Sequence, residues 1–163
     1  MNIDKVKKKY EIKEIRMRLS EDPERIDVET PEEFAKLARE VFENFSDEKE
    51  HLFAFFMNAA CRVEHINHVS TGGLTSSEVH PREVFKPALH AGAASIILVH
   101  NHPSGDPEPS DNDLAVTERL EEVGEMVGIP IIDHVILGNE DRYYSFTENQ
   151  AHTMDDLLDK LLG

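Results

Sequence analysis

The apolar positions of this chain change period from segment to segment, and each period predicts an element. Residues 10–18 (YEIKEIRMR) alternate apolar and charged side chains, the pattern of an amphipathic strand. The polar, acidic stretch 20–30, with Pro23 inside it, reads as a loop. A helix is expected next, with Thr30 as N-cap, Pro31 at the first helical position and Glu33 closing a capping box. Phe34, Leu37, Ala38, Val41, Phe42 and Phe45 then recur at helical spacing and form one apolar stripe, which must dock on a core.

Further along, 51–57 (HLFAFFM) predicts a mostly buried strand and 63–69 (VEHINHV) its more polar neighbour. Gly72 and Gly73 mark a turn. A helix is expected from near Pro81, and Pro87 six residues inside it predicts a kink or a later start. The continuous apolar run 94–99 (ASIILV) predicts a central strand buried on both faces. A second strong helix follows Ser110 and ends near Gly128, with Pro130 just beyond, and 131–137 (IIDHVIL) supplies another strand. The last segment, MDDLLDKLLG, predicts a short amphipathic helix that packs on the body or on another subunit. Helix and strand alternate throughout, so the fold class is α/β with a sheet at its centre.

Composition narrows this picture. A chain of 163 residues has room for one ordinary domain, and 39% hydrophobic with 31% charged residues fits a soluble globular protein. No apolar run is long enough to cross a bilayer and no signal peptide opens the chain, so no membrane partner and a cytoplasmic location are expected. The single cysteine, Cys61, excludes an intramolecular disulfide and every multi-cysteine zinc site. Nine histidines and many carboxylates remain as metal donors.

Charge excludes one class of partner for most of the chain. Seventeen Lys and Arg oppose 33 Asp and Glu, a net charge of -16. Residues 1–18 carry seven basic and three acidic side chains, so the rest sums to -20. An acidic body repels a phosphate backbone, and no strong direct nucleic-acid binding is expected from it. The basic run Lys5, Lys7, Lys8 and Lys9 suits an acidic partner or is simply a solvated end.

The chemistry is concentrated in VHNHPSGDPEPSDND, residues 99–113. His100 and His102 stand two apart at the end of the expected central strand, so both imidazoles can face one point. A Pro- and Gly-rich loop then leads to Asp113 in the first turn of the next helix. Two neutral imidazoles and a carboxylate suit a catalytic Zn²⁺ that keeps a fourth position open. Strand ends facing helix starts are also where α/β proteins place their sites. Ser110-x-x-Asp113 is equally a capping-box start, so the residues alone leave Asp113 between ligand and helix cap. The letters His-Asn-His do not make a nuclease, because nucleases so named carry those residues on separate elements. A metallo-β-lactamase would want Asp-His where Ser104 and Gly105 stand.

With these residues in view, the sequence closely resembles the RadC-like branch of the JAMM (JAB/MPN) metalloprotein family. That family's His-x-His-Pro, six residues, Ser-x-x-Asp is matched without a gap by His100, His102, Pro103, Ser110 and Asp113. The run EVHPREVFKPALHAGAASIILVHNHPSGDPEPSDNDLAVTERL (78–120) and DHVILG at 133–138 resemble RadC proteins as well. The resemblance implies a JAB/MPN-like (cytidine-deaminase-like) fold, a central mixed β-sheet flanked by helices. It divides the chain into an N-terminal strand, loop and helix (1–45), a metal-binding domain (46–149) and a C-terminal amphipathic helix (150–163). RadC proteins often carry a helix-hairpin-helix region before this domain, for which the chain is expected to have no room.

Carried over by position, the resemblance makes His100, His102 and Asp113 zinc ligands and Ser110 the serine that holds the attacking water and stabilises the oxyanion. It places the catalytic glutamate at the start of a strand, where Glu50 matches and Glu64 is the alternative. The implied activity is zinc-dependent hydrolysis of a peptide or isopeptide bond in a protein or peptide substrate, within a DNA-repair family. The competing expectation is a non-catalytic zinc-bearing binding module in a DNA-repair or mobile-element context. Oligomeric state stays open. His80 and Arg82 are expected to brace a loop or cap a helix, and His134 to contact a ligand or simply sit in the sheet. His51, His65, His68, His90 and His152 are expected at surface or strand-face positions, and Cys61 in a turn.

Overall fold

The computed structural model describes residues 30–73, 79–139, 141–148 and 150–152. The strand expected at 10–18, the loop up to residue 29 and the C-terminal helix lie outside the described residues. Among the described residues, three helices, α1 (Pro31–Phe42), α2 (Pro81–Ala91) and α3 (Asp111–Val127), surround six strands. These are β1 (His51–Met57), β2 (Val63–Thr71), β3 (Ser95–Asn101), β4 (Ile131–Leu137), β5 (Tyr143–Ser145) and β6 (Gln150–His152). The strands form one mixed sheet in the order β2-β1-β3-β4-β5-β6, the JAB/MPN-like arrangement of a central sheet flanked by helices.

The inner strands β1 and β3 are buried on both faces, which explains why β1 reads as an almost unbroken apolar run. On one face α1 lays Phe34, Leu37, Ala38 and Phe42 against Phe53, Phe55, Val99 and Val135. The edge-to-face pairs Phe34–Phe55 and Phe42–Phe53, with centroids 4.9 and 4.8 Å apart, fix that contact. On the other face α2 and α3 bring Val84, Phe85, Val116 and Leu120 onto Leu52, Phe56, Ile96 and Leu98. The start of α1 follows its sequence signals: both halves of the Thr30–Glu33 capping box are made.

Two expectations need correction. Pro87 neither delays nor interrupts α2, which starts at Pro81 and runs on to Ala91. Proline lacks the N–H that would bond the Glu83 carbonyl, and Asn67 Nδ2 of β2 donates to that carbonyl at 3.2 Å instead. The central strand is also longer than its apolar run. It continues to Asn101 because β1 pairs it antiparallel on one side and β4 parallel on the other, so His100 is still within the sheet. No helix among the described residues is long and apolar enough to cross a membrane.

Candidate metal centre

The site forms where β3 ends and α3 begins. His100 is the last fully buried residue of β3, His102 follows one residue beyond the strand, and the loop to Ser110 turns the chain back so that α3 points its first turn at both rings. The loop is held against the end of β4: His102 N donates to Leu137 O at 3.0 Å and Asn139 N to Gly105 O at 2.9 Å. Gly105 takes a left-handed φ of 78° to make this turn. Gly138 permits the approach, because a Cβ there would meet Gly105 O at 2.7 Å.

Three donors converge. His100 Nε2 lies 3.0 Å from His102 Nε2 and 3.3 Å from Asp113 Oδ1, and Asp113 Oδ2 is 3.2 Å from His102 Nε2. One ligand atom from each residue falls within 4.8 Å of the others, so the cluster could hold a metal ion. Asp113 is also the helix cap: Ser110 N and Ser110 Oγ donate to its Oδ2 at 2.7 and 2.6 Å, and its own N–H returns to Ser110 Oγ at 3.2 Å. The two roles that the sequence left open are therefore geometrically compatible. The donor set fits the implied zinc: His102 commits Nδ1 to the Asp106 carbonyl at 2.7 Å and turns Nε2 inward. Two imidazole nitrogens and a carboxylate facing one another are a borderline-soft ligand set of the kind zinc takes.

Burial and charge compete in this pocket. Burial pushes the His100 ring toward its neutral form, against the pull of Asp113. Burial acts in the same direction on His102, but the bonds to Asp113 and the Asp106 carbonyl outweigh it and raise its pKa. Burial would protonate Asp113, yet its contacts with His100, His102 and Ser110 hold the carboxyl far below the usual carboxylate range. His134 on β4 is buried behind His100, with Nε2 2.7 Å from His100 Nδ1, and burial drives its pKa well down. Its other nitrogen, Nδ1, meets Thr117 Oγ1 at 2.6 Å.

The two glutamates part company. Antiparallel pairing sets Leu52 opposite His100, so Glu50, just before β1, comes level with His102. Glu50 lines a cleft of about 460 Å³ together with His102, Ser104, Asp106, Glu108 and Ser110, and its charge reaches both histidines. Asn101 holds the backbone on either side of it: Oδ1 accepts from His51 N at 2.8 Å and Nδ2 donates to Lys49 O at 3.0 Å. Glu64 lies at the other end of the sheet, near Met57, and accepts from Asn58 Nδ2 at 2.7 Å. The structure brings Glu50 to the cluster and leaves Glu64 out.

Elsewhere, His80 occupies the N-cap position of α2 without a side-chain cap bond, and Arg82 pairs with Glu83. Cys61 is exposed in the β1–β2 turn at φ 57°. Of the surface and strand-face positions expected for His51, the strand-face one holds: it lies in β1, buried because β1 is an inner strand, with Nδ1 3.3 Å from His68 Nε2 and 3.2 Å from Thr71 Oγ1. Sequence reasoning missed Asn101 and Thr117. Thr117 stands one helical turn after Asp113, and only that spacing signals it.

Comparison with known proteins shows which family the chain resembles. The model of the RadC-like JAB domain family matches residues 28–151, a span that takes in α1. A UPF0758 protein of Desulforudis audaxviator is 52% identical over 112 residues, covering 69% of this chain and 48% of that protein. A UPF0758 protein of Caldanaerobacter subterraneus is 45% identical over 138 residues, 80% of this chain and 58% of its own length. A third, from Halalkalibacterium halodurans, is 41% identical over 137 residues, covering 84% and 57% respectively. The chain thus spans about half the length of the curated relatives it matches.

Proposed function

We propose that this chain, which belongs to the RadC-like JAB domain family, is a zinc-dependent hydrolase of peptide or isopeptide bonds. The observation that carries the reading is the convergence of His100, His102 and Asp113 at a cleft that also contains Glu50 and Ser110. When bound, zinc supplies a Lewis acid and lowers the pKa of a coordinated water toward about 7.

The protein's own groups do the rest. His100 and His102 would hold the ion through Nε2, and Asp113 through its carboxylate, which Ser110 N keeps in place. Glu50 is the general base: it takes a proton from the attacking water and returns it to the leaving amine. Ser110 has one hydroxyl proton, which it donates to Asp113 Oδ2, and this proton turns to the substrate oxygen as negative charge develops there. Asp106 and Glu108 line the same cleft and add negative charge beside Glu50.

Elemental analysis combined with cleavage of peptide and isopeptide-linked libraries tests the proposal. Wild-type protein should carry zinc and cleave, His102→Ala should lose the metal, and Glu50→Gln should keep metal and fold but lose cleavage. Full zinc retention in His102→Ala, or undiminished cleavage by Glu50→Gln, would defeat it. Stoichiometric zinc with no cleavage across the libraries would favour the non-catalytic binding module.

A further inference from the structure

Behind the ligands, four side chains and one carbonyl form a closed circuit through three elements. Thr117 Oγ1 of α3 lies 2.6 Å from the Asp113 carbonyl oxygen and 2.6 Å from His134 Nδ1 of β4. His134 Nε2 lies 2.7 Å from His100 Nδ1 of β3, and His100 Nε2 faces Asp113 Oδ1 at 3.3 Å. Thr117, His134, His100 and Asp113 are all buried, so water is not available to satisfy any member from outside.

The directions of these bonds follow from proton counting. A carbonyl only accepts, so the single Thr117 hydroxyl proton goes to Asp113 O. The hydroxyl oxygen must then accept from His134, which places the His134 proton on Nδ1. The neutral His134 ring consequently offers a lone pair at Nε2, and His100 must donate to it from Nδ1. His100 is left with a bare lone pair at Nε2, the atom that faces His102 and Asp113.

We propose that Thr117 and His134 are positioning residues that lock His100 into the Nδ1–H tautomer and so keep its Nε2 ready for a metal ion. The inference rests on the metal reading above and concerns residues outside the ligand set. The Asp106 carbonyl fixes His102 by a single backbone bond. His100 Nδ1, inside the sheet with no loop carbonyl at hand, reaches an oxygen acceptor only through a second imidazole. Without the threonine hydroxyl the relay has no terminal acceptor. The His134 proton then moves to Nε2, where it donates to His100 Nδ1 and drives the His100 proton onto the ligating nitrogen. Metal binding must displace that proton.

The test reads the ring nitrogens directly. In metal-free wild-type protein, above the pH at which histidines titrate, long-range ¹⁵N–¹H correlation should show both His100 and His134 as Nδ1–H tautomers. Thr117→Val should convert His100 to Nε2–H and weaken zinc binding by about tenfold to a hundredfold. Thr117→Ser, which keeps the hydroxyl, should restore both readouts. His100 found as Nε2–H in the wild-type protein would overturn the inference without any variant, as would a folded Thr117→Val protein with wild-type tautomer and zinc affinity. Wild-type protein that takes up no zinc defeats the metal reading and this inference with it. Zinc uptake with the wrong His100 tautomer defeats this inference alone.

Discussion

At Asp113 one carboxylate both caps a helix and faces the two histidines. Oδ2 accepts from Ser110 N and Oγ, while Oδ1 faces His100. Asparagine is itself a good helix cap, so Asp113→Asn should cost about 1 kcal/mol of stability or less. The loss of the anionic ligand should weaken zinc binding far more, and titration with a metal indicator beside urea denaturation separates the two effects. Asn101, one residue from both His100 and His102, has a different task. Its amide bridges Lys49 O and His51 N and so fixes the stretch that carries Glu50. Asn101→Ala should leave zinc content unchanged while lowering hydrolysis by up to about a hundredfold through a displaced base, measured as kcat at constant metal occupancy.

Among the elements, the loop between His102 and Ser110 is tightly packed against the end of β4. Gly138 at the end of β4 lies so close to it that a Cβ would stand 2.7 Å from Gly105 O and 2.9 Å from Pro107 Cδ. Both obstacles are rigid, so Gly138→Ala should push the loop away from β4. We expect a loss of about 1–3 kcal/mol together with weaker zinc binding, read from thermal unfolding and zinc titration of the same sample. What the sequence disclosed at this scale was local. The Thr30 and Ser110 caps, the αL glycine Gly128 after α3 and the helical stripe of α1 each lie within a few residues of the element they define. What escaped it was pairing. The β1–β3 register brings Glu50, and not Glu64, level with His102, the inner position of β1 buries His51, and the β3–β4 register brings His134 to His100. Each depends on residues dozens of positions apart, which no periodicity records. Pro87 belongs to the same class, since its tolerance comes from Asn67 on another element.

For the molecule as a whole, the net charge of -16 sets the terms of association. Duplex DNA should bind weakly at physiological salt, and residual binding should disappear when Lys5, Lys7, Lys8 and Lys9 are changed to Gln. Submicromolar, salt-sensitive binding by that variant, measured by fluorescence anisotropy, would contradict this. A separate consequence comes from the placement of the ligands. His100 belongs to the sheet and Asp113 to a helix that packs on it, so the complete donor set exists only in the native state. A cation that binds there draws the unfolding equilibrium toward the native state by mass action, by about 2.7 kcal/mol when its free concentration is a hundredfold above Kd. The melting temperature should therefore rise with zinc concentration and fall on chelation, and a melting temperature indifferent to zinc would count against occupancy of the cluster. In a cell, the lifetime of this protein would then follow the supply of that cation.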